Sequence, residues 1–435
     1  MYVDRDRSAL AFGRRRRQSS RWRVLFWLFL LGMMGVVAWQ FESIQPPLLA
    51  ALGVGPTATP PAHVRANAGY EAYMAGDLET AIVEFRRAVQ QDPTNVNYLF
   101  ELARLLVLTK DEREALGQNR IGEAIQYAQQ AIDADRDDPR GYAIMCKALD
   151  WDNRAEEAIP YCLEAIDIDE TFAESYGYLA EASADVKRWA QAQEYGRRAI
   201  EINPNSVDAR RDYAYSLWVV GLYQEAIEQL EYAVALHPAL LYLQFELAAL
   251  YRTSAINNAP AAIAIYDHIR TQDPNNVRAY MELCTTYFAE REDTYAQDYC
   301  EQAMELDPNY QPAYRQGGQV YYTRRNYESA IEAFEKCACL AEGGDCDRNP
   351  QTPPVPGTGQ YPVQCWYLRG LAYYYLAQCE VAVPILIQSL NLTAEDSIKA
   401  IAYEGLRLCQ ESGSVFEWPG PTPTPLPEAT PIGLP

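Results

Sequence analysis

The chain has 435 residues, 49% of them hydrophobic and 22% charged, and a net charge of −22. Its first 23 residues are basic, with eight arginines against Asp4 and Asp6, so the rest is more acidic than the total implies. So acidic a body repels phosphate backbones, which excludes tracking along DNA or RNA and leaves no nucleic-acid partner to expect.

Residues 1–23 read as a basic cytoplasmic segment. Residues 24–41, VLFWLFLLGMMGVVAWQF, carry no charge. A helix of that length spans about 27 Å, enough for a hydrocarbon core. Trp22 and Trp39 stand where interfacial aromatics belong, and the arginines mark the cytoplasmic side. The reading is one transmembrane helix with a cytoplasmic N-terminus and everything beyond it outside the cytoplasm, in the cell envelope or at the surface. A cleaved signal peptide is the rival, and it leaves the remainder on the same side. Residues 42–61, with Pro46, Pro47, Pro56, Pro60 and Pro61, form a linker.

From residue 62 one unit recurs. Ala75–Pro93 is a Gly-Asp turn, an amphipathic helix with Ala81, Phe85 and Ala88 on one face, and a proline stop. The small residue opening that face returns as Ala81, Ala124, Ala158, Ala192, Ala226, Ala262, Ala296, Ala330 and Ala382. Five of the eight steps are 34 residues, and the others are lengthened by loops. Four after each reference come Phe85, Ala128, Cys162, Gly196, Leu230, Tyr266, Cys300, Phe334 and Leu386. Seven after come Ala88, Ala131, Ala165, Ala199, Ala233, Ile269, Ala303, Cys337 and Ser389, on the same helical face. Twelve before, where no insertion intervenes, come Gly69, Cys146, Ala180, Ala214, Cys284, Gly318 and Gly370, all small as closely crossing helices require. Residues 342–362 are Gly- and Pro-rich and read as an irregular insertion; about 397–410 read as a last helix capping the stack; 411–435 form a Pro/Thr-rich tail unable to build a core.

The period and its small-residue pattern resemble the tetratricopeptide repeat over residues 62–410. That resemblance implies an all-α fold: a right-handed superhelical α-solenoid of about nine helix-turn-helix repeats plus the C-terminal capping helix, preceded by one transmembrane helix. Each pair would bury its apolar face only against its neighbours, so stability should be a sum of nearest-neighbour contributions. In such an array the first helix of each pair lines the concave face. Projection there gives Tyr70, Tyr73, Phe100, Arg104, Lys147, Trp151, Arg211, Tyr215, Trp218, Phe288, Arg315, Gln319, Tyr322, Tyr367, Tyr374 and Tyr375: an aromatic groove with scattered basic residues. Aromatic and arginine side chains are those that dominate interfaces; inter-repeat packing is the other use for them. The Lys/Asn pair with which some members hold a peptide's terminal carboxylate is absent, Ala66 and Tyr70 taking its places in the first repeat.

Catalytic constellations are thin. The histidines are His63, His237 and His268, with no HExxH, phosphate-binding or nucleophile-elbow stretch, and the carboxylates read as solvent faces of acidic helices. The expectation is a non-enzyme without cofactor or metal. Of ten cysteines, Cys146 and Cys162 stand twelve before and four after Ala158, and Cys284 and Cys300 do the same about Ala296, so both pairs meet at a helix crossing and read as disulfides. Cys379 with Cys409 would staple the last repeat to the capping helix. Cys337 with Cys365 and Cys339 with Cys346 are the favoured pairing of the remaining four, zinc being the alternative there and free buried thiols the alternative for the other six. Two functions fit: a membrane-anchored extracytoplasmic scaffold binding a protein or peptide through its concave face, in envelope assembly, or an aromatic-groove carbohydrate-binding module for envelope glycans.

Overall fold

A computed structural model describes residues 60–109, 119–341, 363–393 and 395–419. The apolar stretch 24–41, almost all of the linker, the insertion 342–362 and the tail from residue 420 lie outside the described residues. No described helix is long and apolar enough to cross a membrane. By its backbone contacts the chain divides at Val64/Arg65. Of the first unit only residues 60–64 are described, and the architecture below is that of the second.

The described residues form nineteen α-helices and no strand. Nine pairs follow one another: α1 (Ala62–Met74) with α2 (Leu78–Gln91), α3 (Val96–Leu108) with α4 (Arg120–Ala134), α5 (Pro139–Trp151) with α6 (Ala155–Ile168), α7 (Ala173–Asp185) with α8 (Trp189–Ile202), and α9 (Val207–Val219) with α10 (Tyr223–Leu236). Then come α11 (Leu241–Arg252) with α12 (Ala259–Gln272), α13 (Val277–Ala289) with α14 (Asp293–Leu306), α15 (Gln311–Thr323) with α16 (Tyr327–Ala341), and α17 (Gln364–Tyr375) with α18 (Cys379–Asn391). A last helix, α19 (Asp396–Glu411), packs on both α17 and α18. The architecture is an all-α solenoid.

Short polar side chains start many of the helices: Asn95, Ser206, Asn258 and Asn276 each accept an N–H of the first turn. The turn joining the two helices of a pair takes one residue through positive φ at Gly76, Asn153, Lys187, Gly221, Asn257, Arg291, Arg325 and Ala377. Gly76 is fixed twice over, by φ +82° and because a β-carbon there would stand 2.2 Å from the carbonyl oxygen of Ala239.

All nine reference alanines are fully buried, as are the residues seven further on. The positions twelve before and four after share one space at the crossing, and their volumes are complementary. A β-carbon on Gly69 would meet Phe85 at 2.7 Å, one on Gly318 would meet Phe334 at 2.5 Å, and one on Gly370 would meet Leu386 at 2.7 Å. In two pairs the same space holds a disulfide, Cys146–Cys162 with Cα atoms 5.4 Å apart and Cys284–Cys300 with 5.2 Å. Cys337–Cys365 joins α16 to α17, and Cys379–Cys409 joins α18 to α19. Cys339 is not a free thiol; its expected partner Cys346 lies outside the described residues.

Contacts reach beyond neighbouring pairs, which corrects the expectation of purely nearest-neighbour burial. Arg104 on α3 pairs with Asp208 on α9 at 3.5 Å, the Tyr73 ring lies 6.4 Å from His237, and the α1–α2 turn meets Ala239. One apolar core runs from Ala66 to Leu250, whereas the later repeats hold several smaller cores. The reason is that the first helices of the early repeats approach one another across the inside of the array.

Candidate binding face

Three register positions, repeated along the first helices, carry most of the expected face. One runs Tyr70, Arg104, Lys147, Glu181, Tyr215; a second Phe100, Ala143, Gly177, Arg211, Phe245, Met281, Arg315, Tyr367. The third runs Tyr73, Val107, Asp150, Ala184, Trp218, Arg252, Phe288, Tyr322, Tyr374.

In the early repeats this face is filled. Tyr73, Phe100, Arg104, Lys147 and Arg211 are buried. Arg104 pairs with Glu101 at 2.6 Å, donates to the Tyr73 hydroxyl at 3.3 Å and lies over that ring. Lys147 Nζ stands 3.2 Å from Glu181 and 3.1 Å from Asp212, with its charge 4.3 Å from the Tyr178 ring centroid. Arg211 reaches Glu181, Asp212 and Glu246, each at 2.9 Å, and its guanidinium lies over half-buried Trp151 at 5.0 Å. Tyr178 donates to Asp208 at 2.8 Å. All three cations are therefore engaged by the protein's own carboxylates.

These carboxylates correct a second expectation. Asp150, Glu181, Asp208 and Asp212 are buried inside the face, not on solvent-exposed flanks. The signal was present in the register: opposite charges, Lys147 and Glu181, occupy the same position of successive first helices, which stand side by side.

Electrostatics follow from the packing. Burial opposes the charge of Lys147, but Asp212 and Glu181 outweigh it and hold its pKa above the usual amine range. Arg211 and Lys147 overcome the burial of Glu181 and keep it ionised, well below the carboxylate range. Asp150 differs. Both of its carboxylate oxygens are buried without a hydrogen-bond partner. Burial, then the charges of Glu181 and Asp185, push its pKa up to about 9.

Elsewhere the expected residues are more open. Tyr70 is half-buried, receives a hydrogen bond from Asn97 at 2.7 Å and meets Phe85 edge-on. Trp218 is 41% exposed, with the half-buried Tyr215 ring 5.7 Å away. Phe288, Arg315, Gln319, Tyr322, Tyr367 and Tyr374 are half-buried. Tyr375, exposed, stacks on Tyr327 at 4.7 Å, with Tyr322 and Tyr374 against its edge. The structure thus brings Tyr73, Arg104, Lys147, Trp151 and Arg211 into one ion-paired set, apart from the tyrosines of α15 and α17. Among the described residues no group of three or more His, Cys, Asp or Glu could hold a metal ion.

A family model described as tetratricopeptide repeat matches residues 66–139 and 179–240. Those two stretches carry tetratricopeptide repeats. No curated protein matches the sequence. Among solved structures, the human IFIT1 dimer with PPP-AAAA is 13% identical, with 84% of this chain and 81% of that one covered at a TM-score of 0.50. Yeast Tom70 is 12% identical over 81% of this chain and 89% of its own, with a TM-score of 0.49. TTC0263, a thermophilic TPR protein in Thermus thermophilus, is 18% identical over 44% of this chain and 99% of its own, with a TM-score of 0.36. At these identities the likeness is one of fold.

Proposed function

We propose that this tetratricopeptide-repeat chain is a non-catalytic scaffold that binds a protein or peptide segment along the first helices of its repeats. The observation that carries the reading is the third register position. Aromatic side chains recur along it, and Trp218 is left open to solvent. Partly uncovered aromatic side chains on a rigid array are the anchors a peptide partner uses. The glycan alternative is less well supported, because the Arg211 guanidinium already lies over the Trp151 ring.

The scaffold is membrane-anchored and faces away from the cytoplasm, with a role in envelope assembly. This rests on the arginine-flanked apolar run at 24–41 and on the disulfides, which persist in oxidising compartments. Replacing Trp218 in the full chain by a photoreactive phenylalanine derivative and irradiating cells should trap a discrete partner. Protease added to intact cells should digest the repeats. Irradiation that yields no cross-link at this position or at Tyr322 overturns the scaffold reading, and full protease protection overturns the topology.

A further inference from the structure

We propose that the corner formed by Asp150, Asp185, Tyr215 and Trp218, at the C-terminal ends of α5, α7 and α9, receives a cationic side chain, a lysine or an arginine, from the bound segment. The inference rests on the scaffold reading above and names the chemistry of what is bound.

Charge balance comes first. The cations of this face, Arg104, Lys147 and Arg211, are each paired with Glu101, Glu181, Asp208, Asp212 or Glu246. An acidic partner would find no free positive group among them. The carboxylates are in excess, and Asp150 and Asp185 are left without a paired cation, Asp150 without a hydrogen bond as well. Asp150 stands in a register position otherwise held by Tyr73, Val107, Ala184, Trp218, Arg252, Phe288, Tyr322 and Tyr374, the one acid among them. It is 3% exposed, with both oxygens lacking a hydrogen-bond donor. A buried carboxylate without donors is costly, so the group holds a proton that an arriving cation would displace.

The surroundings suit an organic cation. Asp185, exposed, accepts a hydrogen bond from the Tyr215 hydroxyl at 2.5 Å. The charges acting on Asp150 are those of Lys147 on its own helix, Glu181 and Asp185 on α7, and Asp212 on α9. Trp218, open to solvent with Tyr215 against it, supplies an aromatic wall, the surface on which ammonium and guanidinium groups are held. A cleft of about 520 Å³ between the α5–α6 and α7–α8 turns borders the corner at Asp185, with Glu156 and Glu157 against Arg154 and Lys187 in its lining. Arg154, in the same lining, is already paired with Asp152 and Glu157.

The test uses the full chain in detergent, labelled with 5-fluorotryptophan, the Trp218 resonance being assigned from Trp218→Phe. Three blocked peptides, Ac-Gly-Ser-Ala-X-Ala-Ser-Gly-NH2 with X as lysine, norleucine or glutamate, are titrated in. The lysine peptide is expected to shift the Trp218 signal with at least tenfold higher affinity than the other two. Asp150→Asn with Asp185→Asn should erase that preference. If the double variant melts early, Asp185→Asn alone, at an exposed position, should weaken it several-fold. Equal binding of the norleucine or glutamate peptide at Trp218, or a lysine preference that survives in both variants, overturns the inference and leaves the scaffold intact. If none of the peptides moves Trp218, the inference fails, and cross-linking at that position decides separately whether the scaffold reading falls with it.

Discussion

The helix crossings hold a space of nearly constant volume, filled by Gly69 with Phe85, by Gly318 with Phe334, or by a pair of cysteines. Gly318→Ala would drive a β-carbon into the Phe334 ring, and overpacking of this kind costs about 1–3 kcal/mol; thermal melts should show the loss. Replacing both Cys284 and Cys300 by alanine removes a cross-link worth ~3 kcal/mol on the chain-entropy model and should lower the melting temperature likewise. Lys187, with φ +63°, should behave oppositely, because glycine relieves a left-handed residue of about 1 kcal/mol. Asp150 sets a pH dependence. The folded chain keeps its proton up to about pH 9, whereas an unfolded aspartate releases it near pH ~4. Between those values the unfolded state binds fewer protons, so this group's contribution to stability falls as pH rises and levels off above the folded value. Asp150→Asn should therefore melt higher than the parent at about pH 9, with the difference shrinking towards about pH 5. Equal melting of the two chains across that range would sink the assignment.

At the scale of elements, the helix pairs were legible because a 34-residue period shows which side chains face the crossing. The nine reference alanines show it, since each sits where a larger side chain would push two backbones apart. The paired cysteines were legible for the same reason: positions sixteen apart meet at one crossing. What the period does not carry is how tightly the array coils. Arg104, Lys147 and Arg211 project from first helices as expected, but whether they meet solvent or Asp208, Asp212 and Glu181 depends on small rotations accumulated over several repeats. Aromatic residues of the later repeats, such as Tyr322 and Tyr374, kept partial exposure because those repeats hold separate small cores.

The molecule as a whole therefore has two regimes. Repeats one to five and the first helix of the sixth share a core, cross-braced from α3 to α9, so they should open as a single cooperative unit, while the later repeats open piecemeal. Native-state hydrogen exchange is expected to give one common opening free energy for α3, α5, α7 and α9, and lower, graded values from α13 to α18. Protection that decays smoothly from one end to the other would contradict it.

The brace between α3 and α9 also bears on how the chain is made. As the polypeptide emerges from the ribosome, Arg104 and Lys147 appear well before Asp208 and Asp212, their partners about a hundred and about sixty residues downstream. The Cys146–Cys162 bridge, closing within one repeat, has all its parts early. Nascent chains halted before residue 208 would thus carry locally complete helix pairs, with Arg104 held by Glu101 alone and Lys147 by Glu181 alone, on an inner surface still open to water. Completion of the fifth repeat closes that surface in one step, so the early repeats reach their final form only when a later one arrives.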